Sequence, residues 1–154
     1  MVADGAAHVL RPFERVAHAP AEAGYGQEAA AALGVDPARV LKTLVAEVDG
    51  SPLLAVVPVA GRLDLRALAA ARGGRRAALC EPAAAQRLTG GVVGAISPLG
   101  LRRPLPVVVD ASAAAHPTVL VSAGRRGLDV ELAPADLVRL AGATYAPVGR
   151  PATS

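Results

Sequence analysis

Two apolar runs, Val40 to Val48 and Leu53 to Val57, stand on either side of Asp49-Gly50. Asp-Gly suits the tight, positive-φ turn whose twist matches that of its flanking strands, so the two runs are predicted to pair as an antiparallel hairpin. The hairpin fixes a sheet near the middle of a 154-residue chain. That length suits one domain with a single sizeable core. Apolar residues make up 53% of the chain and aromatic residues only 2%, so Val, Leu and Ala must build that core.

Other elements follow in order. Residues 1–12 carry little pattern. Phe13 to His18 is predicted as a short strand ended by Pro20, and Gln27 to Leu33 as an alanine-rich helix stopped by Gly34. Asp36-Pro37 reads as a cap and first residue of a short helical turn. Asp64 caps a helix through Arg72, with Leu65, Leu68 and Ala69 on one face. A strand at Ala77 to Cys80 and a helix from Pro82 to Leu88 lead into a glycine-rich stretch. Strands are then predicted at Leu105 to Val109, Thr118 to Val121, Asp129 to Leu132 and Thr144 to Ala146. A final helix spans Pro134 to Ala141. Short strands interleaved with helices predict an α+β fold, a curved, barrel-like mixed sheet flanked by helices. The expected domain covers 13–148, between an unpatterned 1–12 and a tail at 149–154.

The glycine-rich stretch runs from Thr89 to Gly100, with glycines at Gly90, Gly91, Gly94 and Gly100 and a proline at Pro98. Glycine tolerates φ > 0 and close approach by another molecule. Pro98 fixes its own φ and biases Ser97 toward extended backbone. The apolar middle argues against a floppy linker, so a stiff, shaped loop is expected. Ser122-Ala-Gly-Arg-Arg-Gly127 is predicted as a second glycine-rich turn.

The net charge is +3 with an isoelectric point near 9.7, a modest excess that fits a polyanionic ligand without demanding one. Fifteen of the sixteen basic residues are arginine, and Lys42 is the sole lysine. An ammonium differs from a guanidinium in shape, hydration and pKa, which singles out Lys42. The lone Cys80 excludes an internal disulfide and a cysteine zinc cluster. No apolar run could span a bilayer, and the N-terminus lacks a signal-peptide pattern, so a soluble cytoplasmic protein is expected.

Familiar catalytic sets are sparse. His8, His18 and His116 have no metal-ligand spacing, and there is no G-x-S-x-G elbow or P-loop. Cys80 beside Leu79 reads as a core thiol. Asp129, after the second glycine turn, is placed to orient a ligand amine or hydroxyl.

Five segments together carry a resemblance: Lys42-Thr43-Leu44, Pro58 to Leu65, Thr89-Gly90, Gly94 to Gly100 and Val121 to Asp129. In this order and spacing they are similar to the YbaK/EbsC family, free-standing relatives of the prolyl-tRNA synthetase editing domain. The match runs from about Phe13 to the final helix. The resemblance implies the family's editing-domain fold and hydrolysis of mischarged Cys-tRNA(Pro), with no cofactor and no metal; the alternatives are a deacylase for mischarged alanine or serine, or a tRNA-end binding module without hydrolytic activity. It implies aminoacyl-tRNA as the ligand, with prolyl-tRNA synthetase as a partner. Lys42 and Gly94 would take the catalytic positions. Ala95, Ile96, Ser97, Pro98, Ser122, Gly124 and Asp129 would line the substrate site. The arginine pairs Arg102-Arg103 and Arg125-Arg126 flank the two loops and could meet tRNA phosphates. Two features depart from the family: Val16 stands where a tyrosine is common, and the opening helix is shortened before Phe13.

Overall fold

The computed structural model describes residues 7–13, 25–92, 94–101 and 103–151. The predicted hairpin is the centre of the fold. Strand β2 (Leu41–Val48) pairs antiparallel with β3 (Ser51–Pro58), in register from Leu41↔Pro58 to Val48↔Ser51. Asp49 at φ 50° and Gly50 at φ 85° make the turn. An aspartate tolerates that conformation because its short polar side chain crowds the backbone less than a branched one would.

Alternation along these strands sends side chains to two separate cores. Leu41, Val45, Leu54 and Val56 enter the larger core, with Val119, Val121, Val130, Leu132 and Leu137. Ala46, Val48, Leu53, Ala55 and Val57 face the other way and pack under Leu68 and Ala69. Those two residues belong to helix α2 (Leu65–Ala71), whose Asp64 cap accepts from the Ala67 N–H at 3.1 Å. Being covered on both faces explains why β3 is almost uniformly apolar rather than alternating.

Around the hairpin, β6 (Val107–Asp110) lies parallel to β3, and β9 (Thr144–Ala146) lies parallel to β6. On the other edge of β2, β5 (Ala77–Leu79) pairs only with Ala46 to Val48. A second sheet has the order β1-β8-β7, built from β1 (His8–Pro12), β7 (Val119–Arg125) and β8 (Leu128–Leu132). The two sheets meet at one parallel bridge, Val40↔Leu120. Both bridge residues are buried with Ala29 and Ala30 of helix α1 (Tyr25–Leu33). Helices α3 (Pro82–Thr89) and α4 (Pro134–Ala141) complete the set. The sheet is therefore mixed and curved with flanking helices, as expected, but the barrel does not close.

Several local readings differ from expectation. The stretch 1–12, expected to carry little pattern, contains the first described strand, His8–Pro12, while the strand expected from Phe13 to His18 lies almost wholly outside the described residues. Strand β1 is an edge strand without alternation, and only its pairing with β8 creates it. Residues 14–24, including Val16 and His18, lie outside the described residues. Strand β7 continues through Arg125 where a turn was expected, because an irregularity between Ser122 and Arg125 takes up Ala123 and Gly124. Strands β4 (Gly61–Leu63) and β10 (Gly149–Pro151) pair with each other, so part of the expected tail belongs to the fold. Three-residue strands are too short to show periodicity. Gly61 is needed there, since a Cβ would lie 2.4 Å from the Arg150 carbonyl oxygen. Among the described residues no helix is long and apolar enough to cross a membrane.

Candidate active site

Lys42 stands on the same face of β2 as Val40, on the one side, and Ala46 and Val48, on the other. Val40 is covered by α1, and Ala46 and Val48 by α2, so Lys42 falls between the two covers. Its Nζ donates to the Gly61 carbonyl at 3.1 Å. Burial lowers its pKa below the usual lysine value, because desolvation disfavours the ammonium.

The bridge Val40↔Leu120 sets what Lys42 faces. Two residues beyond it on β7 is Ser122, on the same face by alternation. Asp129 of β8 lies directly opposite Ser122 in register, hence on that face as well. Three polar residues from three strands thus share one surface although the sequence separates them widely. Asp129 is buried at 7% exposure, and burial pushes its carboxyl pKa up to about 6.

The glycine loop reaches this surface through Ser122. The Ser122 hydroxyl donates to the Ala95 carbonyl at 2.9 Å and accepts from the Gly124 N–H at 3.1 Å. One side chain therefore ties the two glycine-rich segments together. The loop is anchored below by Ile96 and Leu99, which enter the larger core, and by the buried Pro98. At its start the Thr89 hydroxyl donates to the Ala85 carbonyl and accepts from the Gly91 N–H. Gly94 itself is exposed at φ 91°, a conformation that L side chains rarely adopt.

Several expected ligand groups also make internal contacts. The Ala95 N–H donates to the Val92 carbonyl at 2.8 Å, and the Ser97 hydroxyl accepts from the Leu99 N–H at 3.1 Å. The buried side chains of Ile96 and Pro98 shape the loop from beneath. Arg103, Arg125 and Arg126 are exposed at the loop margins; Arg102 lies outside the described residues. Cys80 is partly buried against the larger core, and burial, then the nearby Glu47 charge, raises its pKa. A raised thiol pKa is opposite to what a nucleophilic cysteine needs.

Sequence reasoning passed over two features. The Thr43 hydroxyl is buried and, among the described residues, is the one buried side-chain polar atom without a hydrogen-bond partner. Glu131 organises a cluster with Arg11, Arg39 and Thr118. Its spacing of two from Asp129 on a strand was the available signal, since such residues share a face.

Comparison with known proteins bears on this arrangement. The family described as "Aminoacyl-tRNA editing domain" matches residues 20–140, most of the chain. The chain belongs to the aminoacyl-tRNA editing domain family. This editing domain is 32% identical over 123 residues to EbsC of Enterococcus faecalis, named as a candidate Cys-tRNA(Pro)/Cys-tRNA(Cys) deacylase. That alignment covers 79% of this chain and 75% of the relative. A crystal structure of a candidate trans-editing enzyme for prolyl-tRNA synthetase superposes with a TM-score of 0.79 at 26% identity, over 93% of this chain and 87% of that one. A crystal structure of a hypothetical protein superposes at 0.81 and 27% identity, over 94% and 92% of the two chains.

Proposed function

We propose that this editing domain is a trans-acting aminoacyl-tRNA deacylase that removes cysteine from mischarged Cys-tRNA(Pro) in the cytoplasm. The observation that carries the reading is the shared surface of Lys42, Ser122 and Asp129, with the Gly94 loop held over it by Ser122. Family membership and the likeness to the EbsC deacylase support it.

The substrate is an ester joining an amino acid to the 3′ end of tRNA. In the proposed reaction the cysteine thiol attacks its own carbonyl carbon. The new S–C bond forms, the C–O ester bond breaks, and the thiol proton passes to the departing 3′ oxygen. The products are a cyclic thiolactone and free tRNA. The protein contributes position and electrostatics rather than a nucleophile. Gly94 allows the aminoacyl-adenosine end to approach the backbone closely. The Lys42 ammonium holds a phosphate or sugar oxygen of the terminal nucleotide, and the Asp129 carboxylate holds the substrate amine. The exposure of Arg103, Arg125 and Arg126 supports a role for them in meeting tRNA phosphates.

These contacts are made to groups that all tRNAs share, so selection of proline tRNA falls to a partner, prolyl-tRNA synthetase. The purified protein should deacylate Cys-tRNA(Pro) much faster than Ala- or Ser-tRNA(Pro). Alanine carries no attacking atom, and a serine hydroxyl is a much poorer nucleophile at neutral pH. Equal rates on alanine and cysteine would exclude substrate-thiol attack. Full activity of Cys80→Ala is expected, because the reacting thiol belongs to the substrate.

A further inference from the structure

The proposed site is divided between two sheets. Lys42 belongs to the five-stranded sheet, while Ser122 and Asp129 belong to the three-stranded one. Among the described residues the only backbone pairing between those sheets is the Val40↔Leu120 bridge. Among the described residues that edge of β2 is next met at Val45, whose carbonyl accepts from the Cys80 N–H, and by β5 from Ala46. The sheets share the larger core, but the bridge is the point at which their backbones are held in register.

Glu131 sits at this bridge, the hinge of the site. It lies opposite Leu120 across the β7–β8 pair, and Leu120 is the bridge residue. Its Oε2 accepts from Arg39 Nη2 at 2.9 Å and from the Thr118 hydroxyl. Arg39 directly precedes Val40. Its Nε donates to the Thr118 carbonyl at 3.0 Å, and its Nη2 also donates to the Thr118 hydroxyl. These charge-assisted bonds cross from the residue before the Val40 bridge to the residue preceding β7 and to β8. The other carboxylate oxygen of Glu131 accepts from Arg11 on β1. That second contact stays within the three-stranded sheet. The Thr118 hydroxyl and then the Arg11 contact lower the Glu131 pKa, with the Arg39 charge adding to them, so the carboxylate stays ionised.

We propose that Glu131, through Arg39 and Thr118, is a positioning residue that holds Lys42 in register with Ser122 and Asp129. The inference rests on the deacylase reading for its effect on rate, but not for its effect on the hinge. Arg39 is the arm that crosses the hinge, and Arg11 is an arm of like charge that does not. That contrast separates positioning from general stabilisation.

The experiment compares Glu131→Gln, Arg39→Gln and Arg11→Gln, using Cys-tRNA(Pro) turnover by folded protein and amide hydrogen exchange of the free protein. Misplacement of reacting groups by fractions of an ångström typically costs about tenfold or more in rate. Glu131→Gln and Arg39→Gln should therefore lower kcat by about that factor with little change in KM. The Leu41 and Leu120 amides should exchange faster in both. Arg11→Gln should keep wild-type kcat and wild-type exchange at those two amides. In a Lys42→Ala background, Arg39→Gln should cost no further activity. If Glu131→Gln does not fold, Arg39→Gln decides alone. Wild-type kcat and exchange in Arg39→Gln, or equal losses in Arg39→Gln and Arg11→Gln, would overturn the proposal. A fully active Lys42→Ala protein would instead refute the site assignment, and the exchange data would still decide the hinge.

Discussion

Ser122 and Ala95, 27 residues apart in sequence, are joined by a hydrogen bond of 2.9 Å from the serine hydroxyl to the alanine carbonyl. It connects strand β7 to the glycine loop at the residue next to Gly94. The loop's shape is therefore set partly from outside the loop. Ser122→Ala should cost about 1 kcal/mol of stability, the usual net worth of such a bond. It should cost more in function, about tenfold in kcat, because Gly94 loses its lateral support. Thermal melting beside single-turnover deacylation checks this. A tenfold loss that follows melting alone would assign Ser122 to stability.

Lys42 is charged and partly desolvated, an arrangement that favours function over stability. Lys42→Met should melt no lower than wild type, since it removes the cost of burying the ammonium. Its deacylation rate should fall by about two orders of magnitude, as when one preorganised electrostatic contact is removed. Lys42→Arg should also lose most activity, because a planar guanidinium cannot take the place of the ammonium beneath Gly61.

Asp129 predicts a pH effect of definite sign. Its carboxyl pKa is about 6 in the fold, against 3.8 as the ordinary value. Between those values the folded state binds more protons than the unfolded one, so stability falls as pH rises through that window and levels off above about pH 6. Asp129→Asn should abolish this slope and stabilise the fold at pH 7 by about 3 kcal/mol. The kcat/KM profile of the wild type should rise through about pH 6 as the carboxylate forms. The variant should lack that limb and be slow at every pH. Urea unfolding across pH 4–8 and parallel rate profiles test both parts.

Gly94 at φ 91° has two reasons to be glycine: ligand approach and backbone conformation. The sequence offered both in general terms, and the structure supplies the second at this residue. Gly94→Ala should therefore lose about 1 kcal/mol of stability from strain, and its activity should fall much further than its stability. A variant that melts normally and turns over normally would remove Gly94 from the site.

The unpartnered Thr43 hydroxyl gives a stability test that leaves the backbone alone. Thr43→Val replaces a buried, unsatisfied oxygen with a methyl group of similar size. It should raise stability by about 1 kcal/mol, read as a higher urea midpoint with an unchanged slope. A lower midpoint would show that the hydroxyl has a partner in solution, such as an ordered water.

Much of this protein was legible in the order of its residues. The Asp49-Gly50 hairpin, the Asp64 cap and helix α4 are local devices, and local sterics and hydrogen bonding determine them within a few residues. The family motifs named Lys42, Gly94, Ser122 and Asp129 because their spacing is itself a local record. What the sequence could not supply were facts created by pairing. Strand β1, strands β4 and β10, and the continuation of β7 past Ser122 exist only because partners from elsewhere in the chain satisfy their backbone groups. The same holds for the site. Among the described residues the Val40↔Leu120 bridge is the backbone pairing that brings Lys42 to the face shared by Ser122 and Asp129, and burial lifts the Asp129 pKa. Glu131 looked like any strand carboxylate until the tertiary fold placed Arg39 against it, because an ion pair depends on distance in space and not on separation along the chain.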